Sequence, residues 1–255
     1  MLLCLSVHPS RLADLVTPQE LRFSPELPAW DYVDGFGNIC TRIVAPVGIT
    51  TISTSFEIND TGRADFIPVD AAQHEIKDLP DNTLVYLLGS RYCETDRLSN
   101  IAWSLFGATP PGWPRVQAIL DYVHNRIRFD YMQADRTRSA YGGYVEQVGV
   151  CRDFTHLAIA FCRAMNIPAR YCTGYLGDIN ITPIPGPMDF SAWLEVYLGG
   201  HWYTADARNN TPRTGRVLMA IGRDATDVAL STEFGPARLN SFEVVTDEVK
   251  SGRDA

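Results

Sequence analysis

Three amphipathic runs set the frame of the chain's second half. Thr95–Phe106, and again residues 114 to about 127, return apolar side chains every three or four positions. In the second run Val116, Leu120, Val123 and Ile127 form one stripe, and Pro114 suits a first helical turn, where its missing N–H costs nothing. Over residues 150–165 the stripe is Phe154, Ala158, Phe161, Cys162 and Met165; Asn166 ends it and Pro168 cannot continue it. The period then drops to two. Three extended runs follow, at 169–176, 192–198 and 201–206, and Gly199-Gly200 joins the last two as a hairpin, because primed turns need positive φ.

The first third carries strand and turn signals. Ile52, Thr54, Phe56 and Ile58 alternate with polar residues, Asp34-Gly35 and Gly37-Asn38 punctuate the approach to an apolar run at 39–44, and Asn59-Asp60-Thr61-Gly62 closes the segment. The pattern predicts an α+β protein with two parts. Residues 1–80 form an N-terminal antiparallel β unit, and residues 81–255 form a core of helices packed against an antiparallel sheet. Residues 246–255 are polar and read as a frayed tail.

Composition narrows the function classes. Lys plus Arg number 22 against 30 for Asp plus Glu in 255 residues, a net charge of −8 that disfavours nucleic acid, whose phosphates need clustered cations. No stretch approaches the roughly 18 apolar residues of a membrane span, and the short run at 2–7 lacks the features of a secretory leader. A cytoplasmic protein without a membrane partner is the expectation. The six cysteines, Cys4, Cys40, Cys93, Cys151, Cys162 and Cys172, contain no C-x-x-C pair and read as free thiols. Neither zinc-ligand spacing nor a phosphate-cradling loop occurs, so no metal or cofactor is expected.

One cysteine stands out. Gly149-Val150-Cys151-Arg152-Asp153-Phe154 puts a thiol at a helix start, where unpaired N–H groups and the helix dipole lower a thiol's pKa and receive an oxyanion. Cys162 and Cys172 sit in apolar runs and read as core. Gly142-Gly143 reads as a plain loop, Glu195 as part of a solvated face, and the strand aromatics Tyr171, Tyr175, Trp193 and Trp202 first of all as core.

The segment around that cysteine resembles the transglutaminase-like superfamily, in its bacterial branch with a β-domain ahead of the catalytic core. The resemblance rests on 149–154, on Asn166-Ile-Pro-Ala-Arg-Tyr171 and Gly174-Tyr-Leu176, on Asp189-Phe-Ser-Ala-Trp-Leu-Glu-Val-Tyr197 and on Trp202-Tyr-Thr-Ala-Asp206, with Asp34-Gly-Phe-Gly-Asn38 matching the β-domain. It implies a papain-like core in which Cys151 is the nucleophile and Asp206 orients the base. The base position departs from the pattern, because Ser191 stands where the family places its histidine, and Asn209 replaces a second histidine after Asp206. Trp193, Arg152 and Asp153 are implied as groove or supporting residues.

Spacing alone finds no substitute imidazole. A turn at Gly199-Gly200 pairs Leu198 with His201, Glu195 with Thr204 and Trp193 with Asp206, so Ser191 and Asp206 share a face as diagonal neighbours about 7 to 8 Å apart. His201 lies five residues from Asp206, roughly 17 Å at about 3.3 Å per residue, with opposite parity. His156 follows Cys151 by five helical residues, a rotation of about 140° and a rise of about 7.5 Å that turn its ring away from the thiol. Two functions therefore stand side by side. One is cysteine acyl transfer or amide hydrolysis on a protein or peptide, a Gln or other amide donor; the other is a catalytically silent protein that binds a peptide beside Cys151.

Overall fold

The computed structural model describes residues 1–183 and 188–249. In chain order its elements are β1 (Leu2–Leu3), β2 (Arg22–Ser24), β3 (Ala29–Val33), β4 (Ile39–Ile43), β5 (Thr51–Ser53), α1 (Asp81–Leu84), α2 (Thr95–Phe106), α3 (Trp113–Arg126), β6 (Arg128–Phe129), α4 (Ala140–Glu146), β7 (Val148–Gly149), α5 (Cys151–Ala164), β8 (Ala169–Leu176), β9 (Ser191–Leu198), β10 (His201–Ala205), β11 (Arg216–Gly222) and β12 (Ser231–Thr232). Two four-stranded antiparallel sheets organise them, in the orders β12-β1-β4-β3 and β10-β9-β8-β11. This is the expected α+β architecture. Among the described residues no helix is long and apolar enough to cross a membrane.

Helix α5 is the centre. It packs against α2, α3 and α4 on one side and against β8 and β9 on the other. Every residue from 153 to 163 is consequently buried, a wider contact than the one stripe read from the sequence. On β9 the period of two sorts the side chains: Ala192, Leu194, Val196 and Leu198 face α5, whereas Trp193 packs with Cys172, Ile221 and Leu218 on the far side of the sheet. The β9–β10 register is the counted one, running from Leu198↔His201 to Leu194↔Ala205.

Four local readings change. Gly142-Gly143 lies inside α4, started by Ser139, whose hydroxyl accepts the Gly142 N–H at 3.4 Å, and Gly143 is buried where a Cβ would already meet Ile127 and Asp153. The alternation at 52–58 yields only β5, with Ile58 bridging Leu15. Strand β11, an apolar run without polar alternation, pairs with β8 along its whole length. The expected tail starts later than residue 246, because the Thr246 N–H meets Met188 Sδ at 3.2 Å; residues 250–255 lie outside the described part.

The β unit is tied to the core at named points. Asn38 is fully buried; its Nδ2 donates to Ile221 O at 2.8 Å and its Oδ1 accepts the Ile221 N–H at 2.8 Å, while Asp34 holds the Asp34–Asn38 turn through the Asn38 and Phe36 N–H groups. Gly37, at φ 88°, closes that turn in a region L-residues avoid. Strand β12 returns from the far end of the sequence to pair with β1, so the β sheet takes strands from both sides of the boundary near residue 80.

Asn38→Ala leaves a buried N–H and C=O of Ile221 without partners. Urea unfolding is expected to show a loss of about 2 to 4 kcal/mol, from three broken hydrogen bonds, one of them to Asp34 Oδ2, and the stranded groups. A loss under about 0.5 kcal/mol, the range of ordinary surface changes, contradicts the tie.

Candidate active site

The start of α5 is set by a buried carboxylate. Asp153 Oδ2 accepts the Val150 N–H at 2.9 Å and meets Arg138 Nη1 at 3.2 Å, so the carboxylate caps the helix from inside its first turn. Burial raises the Asp153 pKa, opposed by the Val150 N–H and the Arg152 and Arg138 cations. Gly149 makes the clamp possible: a Cβ there would lie 2.5 Å from Asp153 Oδ2 and 2.6 Å from Asp153 Cβ. The glycine before the cysteine is thus a steric requirement. Asp153 is a structural support, wholly buried beneath the site.

Cys151 follows as the first residue of α5, half-buried, whereas the other five cysteines are buried; all six are free. The backbone N–H groups of Ala192 and Arg152 favour the thiolate, yet desolvation outweighs them and pushes the thiol up to about 11, with Asp189 and Asp206 adding repulsion. The depressed pKa expected from the helix terminus is therefore corrected. A partly desolvated sulfur with Asp189 and Asp206 acting on it is held toward its protonated form.

Asp206 follows β10 and is buried. Its Oδ2 accepts Arg216 Nη2 at 2.7 Å and Asn209 Nδ2 at 2.8 Å, and its Oδ1 accepts the Asn209 N–H at 2.9 Å. Arg216, at the start of β11, crosses the sheet above the Trp193 ring, 5.0 Å from its centroid, and also meets Asp65 at 3.0 Å. Ser191, the first residue of β9, is half-buried and precedes Ala192, whose N–H acts on the sulfur; two residues on, Trp193 packs on the side of the sheet away from α5. Arg152 donates to Asp135 O and lies 5.5 Å from the Tyr92 ring, which places it at the rim.

The five histidines are all engaged away from the thiol. His8 accepts the Ser10 N–H, His74 lies against Tyr197, His124 meets Ala207 O at 3.1 Å, and His201 lies against Tyr203. His156 is sealed between Tyr92 and Tyr171, with centroids at 5.0 and 5.1 Å, and its Nε2 accepts the Ala225 N–H at 3.2 Å. Burial lowers it to about 3.

Several neighbours of the sulfur were not singled out by the sequence reading. Tyr131 and Tyr171 are both raised first by burial and then by the nearby Cys151. Asp189 acts on both Tyr131 and Cys151, and the Arg208 guanidinium covers Phe129 at 3.8 Å. Asp189 and Arg208 lie inside the family-like runs, whereas Tyr131 and Arg216 carry no local signal. Among the described residues no three His, Cys, Asp or Glu side chains converge as a metal site.

Comparison with known proteins places this geometry. The transglutaminase-like superfamily core is matched over residues 101–207. A proposed cysteine protease from Cytophaga hutchinsonii, solved by crystallography, is 30% identical with a TM-score of 0.77, over 92% of this chain and 80% of its own. An uncharacterized protein of Mycobacterium leprae (strain TN) is 37% identical over 84 residues; the match spans 32% of this chain and 30% of that relative's length. The periplasmic domain of TgpA from Pseudomonas aeruginosa is 14% identical with a TM-score of 0.42, over 81% of this chain and 75% of its own.

Two outcomes are expected. Limited iodoacetamide treatment with peptide mapping labels Cys151 before the five buried thiols, and its rate climbs about tenfold per pH unit from neutrality toward pH 11 as thiolate forms; a plateau near pH 8 contradicts the raised thiol. His156 is depressed in the fold, so only the unfolded chain takes its proton between about 6.5 and 3. Stability is then full above pH 6.5 and falls by about 1.4 kcal/mol per unit as the pH drops through that window. Denaturant titrations of the protein and of His156→Gln, which lacks that slope, check it.

Proposed function

The chain belongs to the transglutaminase-like superfamily, and from that premise we propose that it is a thiol-dependent amide or peptide hydrolase, or acyl transferase, working slowly on protein or peptide substrates through Cys151. The observation that carries this reading is the sulfur at the first residue of α5, on the only one of the six cysteines that is not buried. In such a reaction the thiolate adds to an amide carbonyl, the C–N bond breaks as the amine leaves with a proton, and the thioester passes to water or to a second amine. Helix-start N–H groups stabilise the negative charge, first on sulfur and then on the carbonyl oxygen.

Slowness follows from the missing base. A serine hydroxyl at position 191 does not take a proton at neutral pH as imidazole does, so thiolate must form by equilibrium with solvent. The six free cysteines suit a reducing compartment, and a cytoplasmic site of action is part of the proposal. A second reading, a silent peptide binder, draws on the commitment of Asp206 to Arg216 and Asn209, which leaves little of its carboxylate to orient a base.

Ammonia and amine release from Gln-containing peptides, followed from pH 7 to 10, separates the two. The expected result is a low rate that rises with pH, disappears in Cys151→Ala and increases by about 10² to 10⁴ in Ser191→His, the usual scale of general-base help. If protein, Cys151→Ala and a folded Ser191→His are indistinguishable on every peptide, the silent reading stands.

A further inference from the structure

On the face of the β10-β9-β8-β11 sheet turned away from α5 lies an open cavity of about 290 Å³, flanked by loops of the β unit. Trp193 and Glu195 of β9 line it together with four arginines, Arg11, Arg63, Arg213 and Arg216. Its acids already have cations. Glu195 takes Arg170 at 2.6 Å, Asp65 takes Arg216 at 3.0 Å and Asp60 lies 3.8 Å from Arg11.

The donors are in surplus. Arg216 Nη1 and Arg213 Nε are buried without a hydrogen-bond partner, although the two residues are only 8% and 5% exposed. The remaining nitrogens of these side chains are occupied, by Asp206 and Asp65 for Arg216 and by Asn209 Oδ1 and Gly177 O for Arg213. Arg63 is exposed and makes no ion pair among the described residues. The Trp193 ring beneath Arg216 offers a π face but no acceptor atom. Arg213 lies 3.7 Å from Asp178 and Arg216 is paired with Asp206 and Asp65, so what stays open is hydrogen bonding rather than charge, and buried donors left open cost free energy until an acceptor arrives.

We propose that this cavity is a binding site for a carboxylate, supplied by a small organic acid or by a peptide, with Arg213, Arg216 and Arg63 as its donors. Asp60, Asp65 and Glu195 line the same space and repel a dianion, so a single carboxylate fits better than phosphate. The inference goes beyond the reading of Cys151 and does not depend on it, because it concerns binding rather than turnover.

Isothermal calorimetry on the full chain tests it with N-acetylalanine, its amide, α-amidated N-acetylglutamate and inorganic phosphate. The first presents a terminal carboxylate and the third a side-chain carboxylate, so the tighter of the two names the source. The expected result is saturable binding of at least one acid, with the uncharged amide weaker by about tenfold or more and each of Arg63→Ala and Arg213→Gln weakening the acid by a similar factor. Arg63→Ala keeps the test decisive if Arg213→Gln fails to fold. No binding by either acid, equal binding by acid and amide, tighter binding by phosphate, or full affinity in Arg63→Ala each overturns the assignment.

Discussion

A carboxylate withdrawn from water holds this molecule's chemistry in place. Asp153 is buried at a cost that its raised pKa records, and the cost is met by one backbone N–H and the guanidiniums of Arg152 and Arg138. Since the partner N–H belongs to the residue just before Cys151, the same bond that stops α5 also aims the sulfur. Arg138 spreads the constraint further, joining Asp153 to Glu146 at the end of α4 and to the Gln133 carbonyl. The rim that faces the thiol is therefore assembled from the interior outward.

The field at the sulfur is opposed to ionisation. A thiolate beside an imidazolium gains a cation; here the nearest charges acting on it are carboxylates, and the cation that meets Asp206 is a guanidinium whose own pKa is raised by its acidic partners against the penalty of burial. Arg216 never gives up its proton in the working range, so the pair Asp206–Arg216 fixes orientation without exchanging protons.

How much of this could be read along the chain depends on range. The β9–β10 register was legible because Gly199 and Gly200, both at positive φ, fix the turn and every pair follows by counting. Cys151 at a helix start was legible from Gly149 and the apolar period behind it. Its pKa was not, because desolvation is imposed by Tyr131, Tyr171 and β9, which come from separate elements. Arg216 escaped for a related reason: β10 and β11 are opposite edges of the sheet, and no spacing rule connects Asp206 with a residue that reaches it across Trp193. In α4, paired glycines argue for a loop, yet both sit in a helix that Ser139 starts, and a Cβ at Gly143 would make only ordinary contacts with Ile127 and Asp153.

The pairing of Leu3 with Ser231 has a consequence for how the chain is made. A ribosome releases β1 long before β12, the neighbour that covers its outer edge. Until then β1 and β4 present an unpaired edge, an invitation to strands of other nascent chains, and the closing step is a long-range loop closure of the kind that slows folding. Residues near 231 thus act as the latch on a sheet whose other strands are made long before them.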